Sequence, residues 1–206
     1  MSAQLESIAF EEITGLILAG GRGSRMGGAD KGLVPFAGTA LVEHVIAALK
    51  PQCARLMLSV NRNEETYARY GLPMVTDGNQ NFSGPLAGIA AALEKTTTDY
   101  LVVAPCDSPF LPSDYVARLA AGLASHPQAK VAAARTAGRE QAVFMLIRQE
   151  AVTDVKAALA SGQLAVHRWL NETMHAVWVD FDDAHAFENM NLPEDLRGGT
   201  RKNKIS

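Results

Sequence analysis

The chain has 206 residues, 48% of them hydrophobic and 20% charged, with a formal net charge of −3. That length holds one domain with a substantial core and leaves little room for a second. The charge balance excludes general nucleic-acid binding, so an anionic ligand has to be met by local cations. Cys53 and Cys106 are too few and too far apart for a disulfide scaffold or a Cys-x-x-Cys metal site, which points to a reducing compartment. Residues 1–12 carry Glu6, Glu11 and Glu12 and no Lys or Arg, the wrong polarity for a signal peptide. No apolar run has membrane-spanning length, and the expectation is a cytoplasmic protein with no membrane partner.

Ile13, Leu16, Ile17 and Leu18 form a short apolar run that glycines cut off at once, which predicts a buried strand. It runs into Leu18-Ala19-Gly20-Gly21-Arg22-Gly23-Ser24-Arg25-Met26-Gly27-Gly28-Ala29-Asp30-Lys31. Five glycines leave main-chain N–H groups uncovered, and Arg22, Arg25 and Lys31 add cations, a combination suited to a polyanion such as a nucleoside triphosphate. The sequence contains no Gly-Lys dipeptide, which excludes a P-loop, and Met26 stands where the dinucleotide fingerprint needs a small residue. The bland alternative is a flexible surface loop, against which the regularly placed cations argue.

Leu33 to Phe36 and Gly38-Thr39 predict a short extended piece and a turn. Leu41, Val42, Val45, Ile46 and Leu49 then recur at helical spacing up to Pro51. Leu56 to Val60 is the next strand, ending at Asn61, and a polar helix spans about 64–70. Met74 to Thr76 is a short strand ending at Asp77. Gly84-Pro85 opens a helix with Leu86, Ile89, Ala90 and Leu93 on one face. Tyr100 to Ala104 is a strand that ends at Pro105-Cys106-Asp107, and Ser113 is the expected N-cap of a helix through Val116, Leu119, Ala120 and Leu123. Further on, 130–135, 143–148 and 176–181 read as strands, 151–161 and 166–171 as helices, and Pro193-Glu194-Asp195 as a helix start.

Strands alternating with helices at this spacing predict an α/β fold: a Rossmann-like three-layer sandwich whose mainly parallel sheet is covered on both faces. In open α/β sheets ligands bind outside the carboxyl ends of the strands. Gly20-Gly21, Asn61, Asp77 and Asp107 each follow directly on a predicted strand, so topology alone gathers them at one edge.

Several chemistries are excluded. The chain has no Gly-x-Ser-x-Gly elbow and no His-Glu-x-x-His. Its histidines, His44, His126, His167, His175 and His185, lack metal-ligand spacing. Asp107, after an all-apolar strand, is a candidate Mg²⁺ ligand, with a turn or capping aspartate as the alternative. Lys31 suits a moving phosphate, and Arg25 either does the same or braces the loop. Asn61 and Asp77 are weaker alone, since Asn-Arg-Asn and Asp-Gly are also ordinary turn sequences. Ser83 to Gly88 reads as a helix start with small residues for close packing, its N-terminus facing the same crevice.

The pattern L-A-G-G-x-x-x-R-M-G-x-x-D-K over 18–31 resembles the signature loop of the molybdenum cofactor guanylyltransferase family of nucleotidyltransferases. Asp30 before Lys31 resembles the guanylyl-transferring branch more than the cytidylyl one. Pro-Cys-Asp-x-Pro-Phe-Leu-Pro at 105–112 resembles the family's metal motif, and Asn189-Met190-Asn191-Leu192-Pro193-Glu194-Asp195 its acceptor signature, with Leu192 in place of the usual threonine. Gln141-Ala142 departs from the family's His/Glu-Pro. The resemblance spans about 13–196 and implies a fold of the nucleotide-diphospho-sugar transferase type. It implies transfer of GMP from GTP to the phosphate of Mo-molybdopterin with Mg²⁺. It assigns Lys31, Arg25 and Asp107 to catalysis, and Leu18, Ala19, Gly20, Gly21, Lys31, Asn61, Asp77 and Asp107 to GTP. Asp107 is its metal ligand, and Asn189 and Asn191 its acceptor contacts. Arg148, Arg168 and Trp169 are further candidates for the acceptor pocket, with core packing the alternative for Trp169. Residues 1–196 would form a single domain, 13–125 for the nucleotide and 126–196 for the acceptor, with 197–206 a flexible tail. Proteins that deliver or receive the cofactor are further expected partners. The competing readings are a cytidylyl- or sugar-phosphate nucleotidyltransferase on the same scaffold, or a nucleotide-binding regulator without turnover.

Overall fold

The computed structural model describes residues 7–19, 30–77 and 84–190. In chain order the described elements are β1 (Ile13–Leu18), β2 (Pro35–Phe36), β3 (Thr39–Ala40), α1 (Leu41–Leu49), β4 (Arg55–Ser59), α2 (Glu64–Ala68), β5 (Met74–Val75), α3 (Pro85–Lys95), β6 (Tyr100–Pro105), α4 (Tyr115–Ala124), β7 (Val131–Thr136), β8 (Arg139–Arg148), α5 (Val152–Ala160), α6 (Val166–Arg168) and β9 (Val177–Phe181). A seven-stranded sheet runs β5-β4-β1-β6-β8-β7-β9. All its described pairings are parallel except those of β8, which is antiparallel to both β6 and β7.

Alternation along the strands builds two cores. Ile13 and Ile17 of β1, Val102 and Ala104 of β6, and Phe144 and Leu146 of β8 face α1 and α4. Leu16, Leu101, Val103, Met145 and Ile147 face α3 and α5 on the other side. The sheet is therefore sandwiched as its apolar strands require, because residues of period two must be covered on both faces. Tyr115 is fully buried in the first core, and its hydroxyl donates to Val103 O at 2.7 Å. Gly15 permits close packing there: a Cβ would lie 2.5 Å from the Leu56 side chain. Among the described residues no helix is long and apolar enough to cross a membrane.

Four local expectations are corrected. Strand β8 begins at Arg139 rather than 143, because Ala137 and Gly138 both take positive φ (46° and 74°) and turn β7 tightly back on it. Two-residue hairpin turns of this hand need positive φ at both positions, and an alanine gives no warning of that. Helix α4 begins at Tyr115 with Asp114, not Ser113, at the cap position, and no side chain closes that cap. The polar helix α2 stops at Ala68, short of 70. The helix expected over 166–171 has three α residues and then a π-helical segment, Trp169–Met174, which buries Trp169, Leu170 and Met174 together. Residues Pro193 to Asp195 and the tail from 197 lie outside the described residues.

Candidate active site

The carboxyl ends of β1, β4, β5 and β6 lie side by side, and the ladder continues past them. Ala19 N donates to Ser59 O at 2.9 Å, Val60 N to Val75 O at 2.9 Å, and Cys106 N to Leu18 O at 3.0 Å. Asn61, Asp77 and Asp107 are the residues that leave this edge. Leu18 is half-buried against the α3 side, and Ala19 is buried with its N–H committed to Ser59. Gly20, Gly21, Arg25 and Asn191 lie outside the described residues.

Lys31 and Asp107, 76 positions apart in sequence, meet as an ion pair with Nζ donating to Oδ2 at 3.0 Å. Their side chains are 26% and 11% exposed, so the pair is sheltered yet open on one side. Topology favours the meeting: β6 is the neighbour of β1, and Asp107 follows β6 directly at the edge where β1 also ends. Asn61 and Asp77 pair reciprocally, Asn61 Nδ2 donating to Asp77 Oδ2 at 2.9 Å and Asp77 N to Asn61 Oδ1 at 3.2 Å. Asp77 is half-buried, and one of its oxygens already serves Asn61.

The distant C-terminal segment arrives at the same place. Ser108 is fully buried and its hydroxyl donates to Asn189 Oδ1 at 2.7 Å, while Met190 N donates to Asp107 O at 2.9 Å. The acceptor-signature asparagine is thus fastened to the residue after Asp107. Arg148 is not part of this edge. It pairs with Tyr100 at the opposite, amino end of β6, and its guanidinium donates to Ala129 O and Tyr100 Oη, both at 3.0 Å. Arg168 is a solvated side chain 3.5 Å from Glu172, and Trp169 is fully buried core.

Sequence reasoning passed over Arg62, Asn63 and Tyr67. Asp30 turns its carboxylate to them: Tyr67 Oη donates to Oδ1 at 2.7 Å, Asn63 Nδ2 donates to Oδ2 at 2.9 Å, and Arg62 Nε lies 3.7 Å from Oδ2. The Asn-Arg-Asn turn offered a signal, since Asn63 stands in the left-handed region at φ 55°. Tyr67, an apolar-face residue on a short polar helix, offered none. Cys106 is buried between Asp107 and Gly32, and burial pushes its thiol well above the usual range, so it is inert filling. At α3, Gly88 allows the helix to approach the sheet, since a Cβ would lie 2.5 Å from Ser59 Oγ.

A divalent metal ion in a phosphoryl site is commonly held by one or two carboxylates, with phosphate oxygens and waters completing its shell. Asp107 supplies one largely buried carboxylate beside a cation. Among the described residues no group of three or more His, Cys, Asp or Glu stands together, so an all-protein cage is not offered there.

The model of the MobA-like NTP transferase domain matches residues 15–177. The molybdenum cofactor guanylyltransferase of Polynucleobacter asymbioticus is 46% identical over 193 residues, covering 92% of this chain and 96% of that protein. The crystal structure of molybdopterin-guanine dinucleotide biosynthesis protein A from Archaeoglobus fulgidus superposes with a TM-score of 0.72 at 21% identity, over 90% of this chain and 96% of that one. A 4-diphosphocytidyl-2C-methyl-D-erythritol synthase from Anaerococcus prevotii reaches 0.70 at 11% identity, over 92% and 94%. Those two likenesses establish the fold alone, because one scaffold hosts many activities. Identity over nearly the whole length says more, and on that ground this chain belongs to the MobA-like NTP transferase family, among the molybdenum cofactor guanylyltransferases.

Proposed function

We infer that this chain transfers GMP from GTP to the phosphate of Mo-molybdopterin, giving the guanine dinucleotide form of the cofactor and pyrophosphate. The observation that carries this reading is the Lys31–Asp107 pair at 3.0 Å, a cation and a carboxylate set together where the strands end. An ionised acceptor phosphate is its own nucleophile, so no protein nucleophile is needed. Its oxygen bonds to the α-phosphorus of GTP as the bond from that phosphorus to the bridging oxygen breaks, and pyrophosphate leaves with the electron pair. The protein's task is to hold the two substrates in line and to meet the charge that develops. Lys31 places its ammonium beside the reacting phosphates. Asp107 would hold Mg²⁺, which when bound neutralises phosphate charge and supports the leaving pyrophosphate.

Asn61 and Asp77, locked together at the β4–β5 side, would contact the nucleoside, with Leu18 to Gly21 and Arg25 around the phosphates. Asn189 and Asn191 would meet the acceptor. On this reading residues 13–125 hold the nucleotide and 126–196 the acceptor within a single domain, and the reaction belongs to the cytoplasm. Proteins that hand on the cofactor would be transient partners. Calorimetric titration with GTP, CTP, ATP and UTP in Mg²⁺, repeated on Asp107→Ala, tests the reading. Selective GTP binding that weakens in the variant supports it; preference for CTP moves the chain to cytidylyl transfer, and no binding of any nucleotide overturns it.

A further inference from the structure

Lys31 must act from a defined position, yet its side chain is long. What fixes its backbone is found beside it. Three side chains of the segment 62–67 converge on the Asp30 carboxylate, next to Lys31 in sequence. Tyr67 is fully buried, and its hydroxyl is the shortest of these contacts at 2.7 Å. Asn63 O accepts from Tyr67 N at 3.1 Å, so the asparagine and the tyrosine are held as one unit by their own helix turn.

The same hydroxyl touches the other flank of Lys31. A Cβ on Gly32 would lie 2.4 Å from Tyr67 Oη and 3.2 Å from Cys106 Sγ, so the backbone after Lys31 is pressed onto the tyrosine and onto the residue before Asp107. The turn is closed by Leu33 N on Asp30 O at 3.0 Å and Val34 N on Lys31 O at 3.1 Å. Phenylalanine would fill the core at 67 equally well, so the hydroxyl is there for what it bonds. Burial, the larger cause, and the Asp30 carboxylate both push the phenol up, which keeps it a donor across the neutral range.

We propose that Tyr67 is a positioning residue for Lys31: by clamping Asp30 and seating Gly32, its hydroxyl sets where the Lys31 ammonium meets the reacting phosphates. This rests on the role given to Lys31 above. Tyr67 touches neither substrate; it acts through the turn.

The test compares Tyr67→Phe and Asp30→Asn, each alone and combined with Lys31→Ala, in steady-state release of pyrophosphate from GTP with Mo-molybdopterin, with thermal melting as a check on folding. Misplacing a catalytic group by a fraction of an ångström to an ångström costs about ten- to a hundredfold. The expected result is a loss in kcat of at least about tenfold for each single variant with GTP KM little changed. In the Lys31→Ala background neither substitution should lower the rate further. A wild-type rate for folded Tyr67→Phe, a loss confined to KM, or an equal loss in the Lys31→Ala background overturns the proposal while leaving the transferase reading intact. Should Tyr67→Phe not fold, Asp30→Asn decides by the same three criteria. Absence of turnover in the wild-type protein would instead overturn the transferase reading, and the proposal with it.

Discussion

Replacing Lys31 by alanine separates catalysis from stability. In the structure Lys31 Nζ lies 3.0 Å from Asp107 Oδ2, with the two side chains 26% and 11% exposed. The gross attraction at that distance is about 5 kcal/mol for an effective dielectric of about 20. Exposure of the lysine and its ordering cost reduce the net folding contribution to roughly 1 kcal/mol. For a chain of this size that lowers Tm by about 2–4 °C. In the transition state the same ammonium meets charge that water cannot reach as well, and losing one preorganised group of this kind costs about 3 kcal/mol. The expected result is therefore a fall in kcat of about a hundredfold or more in a protein that melts almost normally. Pyrophosphate release at saturating GTP, set beside a melting curve, reads both quantities. A variant that turns over at near the wild-type rate would remove Lys31 from the chemistry. A large fall in Tm would show that the pair is structural first.

Other perturbations probe the rest of the molecule. Asn189→Ala removes the partner of the buried Ser108 hydroxyl and is expected to raise KM for the pterin acceptor while GTP affinity, read by calorimetry, stays the same. Trp169→Ala empties a fully buried site and should cost about 3–5 kcal/mol in urea denaturation. Gly122→Ala would put a Cβ 2.4 Å from Val179 Cγ2, an overpacking worth about 1–3 kcal/mol, with kcat unaffected because α4 packs on β9 away from Asp107. Burial raises Cys53 from 9.0 to about 11, and Cys106, Tyr67 and Tyr115 are also pushed up by burial. Above pH 9 the unfolded chain loses these protons before the folded one does, so stability is full below pH 9 and falls as pH rises toward 11. A urea midpoint that is the same at pH 8 and pH 10.5 would contradict this.

What was legible in the sequence was whatever topology gathers. An apolar run cut off by a polar residue marks a strand end, and four such ends share one edge, so Asn61, Asp77 and Asp107 were placed before any contact was seen. The meeting of Lys31 with Asp107 is favoured by β1 and β6 being neighbours. The small residues of α3 were read correctly as close packing, as Gly88 against Ser59 shows. What was not legible depends on side-chain direction. Tyr67 looks like core because it is core; only its hydroxyl reaches the site. Arg148 stands on a strand beside the predicted pocket, but β8 runs antiparallel to β6, which carries its last residue to the far end of the sheet. That reversal stems from the Ala137-Gly138 turn, where alanine adopts a conformation its composition does not advertise. The π-helical segment was hidden likewise, since Trp169 and Leu170 are compatible with an ordinary helix until both must be buried.

The most direct measurement is transfer itself: purified protein, Mg²⁺, Mo-molybdopterin and α-labelled GTP or CTP, with the label followed into the cofactor. Label from GTP should appear in a pterin dinucleotide in step with pyrophosphate, and label from CTP should stay in the free nucleotide. Incorporation from CTP in preference to GTP, or nucleotide binding with no transfer to the pterin phosphate, would contradict guanylyl transfer as the function of this chain.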